Sequence, residues 1–153
     1  MQGSNTFHLD TFTILDEKSL ENIIFPLASG DRIFLTGDLG AGKSTFTRAL
    51  LRHHFRDPDL VVRSPTYTYY QKYDSDLSPI PYPLSPIYHF DLYRLESLED
   101  LYLIGAREIL DDPTSICLIE WPEILGESER WTKKISITRM EDESRKVEII
   151  SQI

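Results

Sequence analysis

The chain has 153 residues and is 41% hydrophobic, enough apolar material for the core of one ordinary domain spanning residues 1–153. Asp and Glu number 25 against 16 Lys and Arg, a net charge of −9, which argues against a protein that grips a nucleic-acid backbone by itself. The single cysteine, Cys117, excludes an intrachain disulfide framework, no secretory leader is expected, and no apolar run reaches membrane-spanning length, so a cytoplasmic location is expected.

The first segment, Thr6 to Phe12, alternates in polarity and predicts a strand. From Asp16 to Ala28, Leu20, Ile23, Ile24, Leu27 and Ala28 recur at helical spacing, with Asp16 as N-cap and Pro26 as an awkward interior residue that bends or ends the helix early. Ser29-Gly30-Asp31 turns the chain into the apolar run Arg32 to Thr36, a strand. Gly37-Asp38-Leu39-Gly40-Ala41-Gly42-Lys43-Ser44 follows, and Thr45 to Leu51 reads as a helix. Strand, glycine loop, Lys-Ser and helix together spell a phosphate-binding P-loop. Its glycines let successive backbone N–H groups turn inward, and those groups with the helix start favour an anion. The expected ligand is a purine nucleotide with a divalent cation. Asp38, Leu39, Gly40, Ala41, Gly42, Lys43, Ser44 and Thr45 are its expected contacts, with Lys43 on the phosphates and the Ser44 hydroxyl on Mg²⁺.

Beyond the P-loop helix, Arg56 to Asp59 breaks the pattern, and Leu60-Val61-Val62 is short and apolar. Ser64-Pro65-Thr66-Tyr67 is a rigid polar loop, and Thr68 to Tyr73 is aromatic-rich and strand-like. Asp74 to Pro86 holds four prolines and three serines and reads as an exposed loop. Ile87 to Tyr93 returns as a strand antiparallel to the previous one. Ser97 caps a helix predicted from Leu98 to Leu110, with Glu99 and Asp100 suiting its dipole. Ser115 to Ile119 is a continuous apolar run ending at Glu120-Trp121, the pattern of a buried central strand. Ile135–Thr138 and Lys146–Ile150 flank Glu141 to Ser144 as a closing hairpin. The expected architecture is α/β: a three-layer P-loop NTPase fold, with parallel core strands around the P-loop strand and antiparallel hairpin additions.

A P-loop enzyme needs a carboxylate at the end of a neighbouring strand to organise Mg²⁺ and its waters. Glu120 and Asp91 both qualify, because ligands in an open α/β sheet sit at the carboxyl ends of the strands. Either also has a plain structural explanation: a strand-end charge for Glu120, a cap or an acid paired with Arg94 for Asp91. Thr66 occupies a Pro-fixed loop of the kind that senses a γ-phosphate in switch proteins, although a simple turn explains the same residues. Trp121 is placed equally well as core or as a ligand contact. Cys117 reads as a buried structural thiol.

The P-loop, Ser64-Pro65-Thr66-Tyr67, His89-Phe90-Asp91-Leu92-Tyr93-Arg94 and Ile119-Glu120-Trp121, in that order, resemble the TsaE (YjeE) family of small bacterial P-loop ATPases. The resemblance runs from about Phe7 to Ile150. It implies an ATPase, weak alone, that binds the complex of TsaB with the transferase TsaD and supports threonylcarbamoyladenosine modification of tRNA, which it contacts only through those partners. It further implies catalytic roles for Lys43, Asp91, Glu120 and Thr66, nucleotide contact by Trp121, and Mg²⁺ on Ser44 and Glu120. The same resemblance brings Leu15 to Glu17 towards the adenine. Ser44 stands where the family usually has threonine and Tyr67 where phenylalanine is common, and the Asp74–Pro86 loop is longer than usual. A small-metabolite kinase is the alternative, although it calls for an arginine-rich lid that Arg63, Arg94 and Arg107 do not obviously supply. A GTP-driven switch ranks last, since no Asn-Lys-x-Asp guanine-reading motif is present.

Overall fold

The computed structural model describes residues 6–74 and 85–153. One seven-stranded sheet organises the chain: β1 (Phe7–Ile14), β2 (Arg32–Thr36), β3 (Tyr70–Tyr73), β4 (Ile87–Asp91), β5 (Ile116–Glu120), β6 (Lys133–Arg139) and β7 (Arg145–Gln152). Their spatial order is β1-β7-β6-β2-β5-β4-β3. β4, β5, β2 and β6 run parallel, while β7 pairs antiparallel with both β6 and β1, and β3 antiparallel with β4. This is the expected parallel core around β2 with antiparallel additions. Helix α1 (Lys43–Phe55) covers one face, where Phe46, Leu50, Leu51 and Phe55 pack on Ile33, Leu35, Ile87, Leu118 and Ile135. Each of those buried side chains contributes roughly 1.5–3 kcal/mol. Helices α2 (Leu98–Leu103) and α3 (Ala106–Asp111) cover the other face, over Phe34, Phe90, Cys117 and Ile119. The Cys117 thiol is free and fully buried, and burial pushes its pKa up.

Two expectations need correction. The helix expected over Asp16 to Ala28 is only a 3-10 turn, Glu17–Asn22. Asp16 does cap it, accepting from the Ser19 amide at 2.8 Å. Pro26 stops it, because a proline ring clashes with the carbonyl four residues back, here that of Asn22. The helix expected from Leu98 to Leu110 is broken in two at Gly105, whose φ of +76° lies in the left-handed region. The short apolar run Leu60 to Val62 lies in a connecting segment. Most of the Asp74–Pro86 loop lies outside the described residues.

The start of β2 carries a buried guanidinium. Arg32 is fully enclosed and donates to the carbonyls of Asp31, Leu110, Asp112 and Ser115. The last carbonyls of a helix have no intrahelical partner. Arg32 satisfies those at the end of α3 and ties α3 to the starts of β2 and β5. The charge is thus spread over backbone dipoles, and the P-loop strand is anchored at the end away from the ligand.

Candidate active site: a P-loop cleft with a buried carboxylate

The loop between β2 and α1 owes its shape to close packing. Gly37 has φ +148°, and a Cβ there would stand 2.5 Å from the Ile137 carbonyl oxygen of β6. Gly42, at φ +117°, caps α1 without a side chain. No acidic residue occupies the first turn of α1, so none of the helix's own side chains there offsets the N–H groups and dipole at its start. Arg145 of β7 braces the loop, its Nε donating to the Ala41 carbonyl at 2.8 Å.

Lys43 is buried. Its Nζ donates to the carbonyls of Gly37 at 2.6 Å and Asp38 at 2.9 Å and lies 4.3 Å from the centre of the Trp121 ring. Burial lowers its pKa, opposed by the charges of Glu120, Asp91, Glu123 and Asp38. The Trp121 backbone is left-handed (φ 57°), and its ring also packs on Tyr93 at 4.8 Å between centres.

Parallel pairing of β4 with β5 sets Asp91 opposite Glu120. Both are buried at the carboxyl ends of their strands. The Ser44 hydroxyl donates to Glu120 at 3.1 Å (Oε1) and 3.4 Å (Oε2), and the His89 Nε2 lies 2.5 Å from Oε2. Asp91 accepts from the Thr66 hydroxyl at 2.9 Å and the Tyr93 amide at 3.1 Å. Ser64 and Thr66 hydroxyls lie 2.7 Å apart. Arg94 stacks its guanidinium on Tyr67, 4.3 Å from the ring centre.

A cleft of about 290 Å³ joins these parts, lined by Leu39, Gly40, Gly42, Lys43, Ser44, Thr45, Ser64, Thr66, Asp91, Glu120 and Trp121. Asp38 lines instead a neighbouring hollow of about 320 Å³ with Thr138 and Arg139. Beside the loop, on the β7 side, a third cavity of about 250 Å³ is lined by Leu15, Asp16, Glu17, Ala41, Gly42, Thr45 and Arg145 among others. The two residues that sequence reasoning missed are His89 and Arg145. His89 had a signal: on a strand, residues two apart share a face, so it lies on the same side as Asp91. Arg145 had none, since only the fold brings the start of β7 to the P-loop.

The model of the threonylcarbamoyl adenosine biosynthesis protein TsaE matches residues 14–147, which include every residue of the cleft. The chain belongs to the TsaE family. The tRNA threonylcarbamoyladenosine biosynthesis protein TsaE of Haemophilus influenzae is 40% identical over 124 residues, covering 78% of this chain and 70% of the relative. That of Treponema pallidum is 34% identical over 124 residues, 80% and 84% of the two chains. A crystal structure of YdiB from Bacillus superposes with a TM-score of 0.67 at 25% identity, covering 98% of this chain and 90% of that one. Membership in TsaE ties the chain to threonylcarbamoyladenosine biosynthesis in tRNA, and the cleft to a P-loop nucleotide-binding fold.

Proposed function

We propose that this TsaE protein binds and hydrolyses ATP with Mg²⁺ in the cytoplasm, and that it supports tRNA threonylcarbamoyladenosine formation by docking on the TsaB–TsaD complex. The observation that carries the reading is the Ser44 hydroxyl on the Glu120 carboxylate, 3.1 Å apart, directly after the P-loop lysine. Hydroxyl and carboxylate oxygens are the hard donors Mg²⁺ takes, and one or two carboxylates plus phosphate oxygens suffice for it. A glycine loop leading into a helix start with no acidic side chain of its own fits a triphosphate equally well.

Bound Mg²⁺ would supply charge neutralisation at the β- and γ-phosphates. Lys43 has a task of its own: its ammonium exchanges the Gly37 and Asp38 carbonyls for phosphate oxygens, while Trp121 shields it from water. Ser44 and Glu120 hold the metal from the protein side. Asp91, oriented by Thr66 and the Tyr93 amide, holds the attacking water and takes up its proton. Leu15 to Glu17 and Arg145 line the cavity beside the loop, where the base would sit.

Lys43 is the only cation among the described residues that line the cleft. Among the described residues no arginine lines the cleft to neutralise transition-state charge, which fits slow hydrolysis by the isolated chain and partner-dependent stimulation. A metabolite kinase would call for an arginine-bearing lid, and residues 74–86 contain no arginine. The net charge of −9 leaves tRNA binding to the partners. The test is ATP turnover with and without TsaB–TsaD, comparing wild type with Lys43→Ala. Stimulation that Lys43→Ala abolishes is expected; fast turnover indifferent to the partners would refute the reading.

A further inference from the structure

His89 is a buried ionisable side chain on the α1 face of the sheet that this mechanism leaves unused. It is 1% exposed, in a row of β4 and β5 side chains that begins with Ile87, Ile116 and Leu118 and ends at Asp91 and Glu120. An imidazole in such a layer is costly unless hydrogen-bonded. Its Nε2 meets Glu120 Oε2 at 2.5 Å, and its Nδ1 has no partner among the described residues. An ionised carboxylate only accepts, so in this contact Nε2 is the donor. The ring therefore has one polar task, and that task is Glu120.

We propose that His89 is a positioning residue for the metal-organising carboxylate. The terminal torsion of a glutamate is soft and roughly two-fold. With Oε2 pinned from below by His89, the Glu120 carboxylate cannot turn about that torsion, and Oε1 is kept on the Ser44 hydroxyl and the cleft. The inference rests on the Mg²⁺–ATP reading above. Partners that orient a metal-binding side chain typically change metal affinity 10–100-fold when removed.

The experiment titrates a fluorescent ATP analogue into wild type, His89→Leu and His89→Gln, each in Mg²⁺ and in EDTA, with melting temperatures measured alongside. The Leu variant keeps bulk but loses the donor; the Gln amide restores a donor at nearly the same reach. Expected is a loss of about tenfold in Mg²⁺ for His89→Leu, less than about twofold in EDTA, and recovery of most of it in His89→Gln. Equal losses in both buffers, or a folded His89→Gln as weak as His89→Leu, would overturn the inference and mark His89 as packing. Wild type that binds in Mg²⁺, with His89→Leu binding equally well, overturns this inference but leaves the proposed function standing. Wild type that fails to bind the nucleotide in either buffer removes both. Should His89→Leu not fold, wild-type nitrogen-15 spectra decide: the His89 ring signals must move when Mg²⁺ is added to the ADP-bound protein, and unmoved signals overturn the proposal.

Discussion

Alanine at Gly37 and alanine at Gly40 separate two reasons for a glycine in the P-loop. Both residues have positive φ, +148° and +77°. At Gly40 a Cβ meets nothing within 4 Å, so alanine there costs only the left-handed backbone strain, about 1–2 kcal/mol. At about 2–4 °C per kcal/mol for a domain of this size, melting falls by roughly 2–8 °C. At Gly37 the conformation is one that only glycine adopts readily, about 1–3 kcal/mol. There the Cβ also meets the Ile137 carbonyl oxygen at 2.5 Å and the Ala41 Cβ at 3.2 Å. A backbone carbonyl in a paired strand has little room to retreat, so overpacking adds about 1–3 kcal/mol. The combined loss of about 2–6 kcal/mol corresponds to roughly 4–24 °C. The loop must also shift, and with it the Gly37 carbonyl that holds Lys43 at 2.6 Å. Calorimetry and a fluorescent-ATP titration read both effects. Nucleotide affinity should drop at least about tenfold more for Gly37→Ala than for Gly40→Ala, since small misplacements of binding groups are costly. Equal melting shifts and equal affinities would refute the close-approach argument.

Arg32→Met removes the guanidinium while keeping an unbranched apolar stem, and leaves the carbonyls of Leu110 and Ser115 buried without that donor. At about 1–3 kcal/mol per orphaned group, the loss is about 2–6 kcal/mol, readable by urea denaturation. Thr66→Val strips the hydroxyl donor from Asp91 and leaves only the Tyr93 amide; a hydrogen bond to a charged group is worth about 1.5–3 kcal/mol, so partner-stimulated turnover should fall about 10–100-fold with little change in KM. Asp112 accepts from the amide and hydroxyl of Thr114, which hold its pKa below the ordinary 3.8. A depressed carboxylate contributes stability that is present above 3.8 and is lost as pH falls through its folded value. Melting temperature measured from pH 7 down should therefore drop more steeply below pH 3.8 in wild type than in Asp112→Asn.

Much of this architecture was legible because each signal was local. The β2 strand, the P-loop and the start of α1 follow one another without interruption, and the apolar run of β5 has the continuous pattern of a strand buried on both faces. The failures share a cause: periodicity records which face is apolar and not whether the backbone can continue. Leu20, Ile23 and Leu27 keep helical spacing past the point where Pro26 stops the turn. Leu101 and Leu110 keep it across Gly105. Within the cleft, each motif announced its residue, whereas partner choice inside it was silent. Nothing in the chain's order couples Ser44 to Glu120 rather than to Asp91, 76 and 47 residues away; the register of β4 on β5 and the placing of α1 decide it.

That register also divides labour between the two acids. Asp91 and Glu120 lie opposite one another and are similarly buried, yet their donors come from different parts of the molecule. Glu120 is held by Ser44 at the start of α1 and by His89 from within the layer, both on rigid elements. Asp91 is held by Thr66 and by the Tyr93 amide, both in connecting segments, and the Thr66 loop carries the exposed Tyr67 on which Arg94 rests. A displacement of residues 64–69 would thus re-aim Asp91 and leave Ser44 and Glu120 in place. On the proposed reading, metal holding belongs to the fixed pair and water positioning to the movable one. Perturbing the loop should change turnover far more than Mg²⁺–ATP affinity, and perturbing Glu120 should change both.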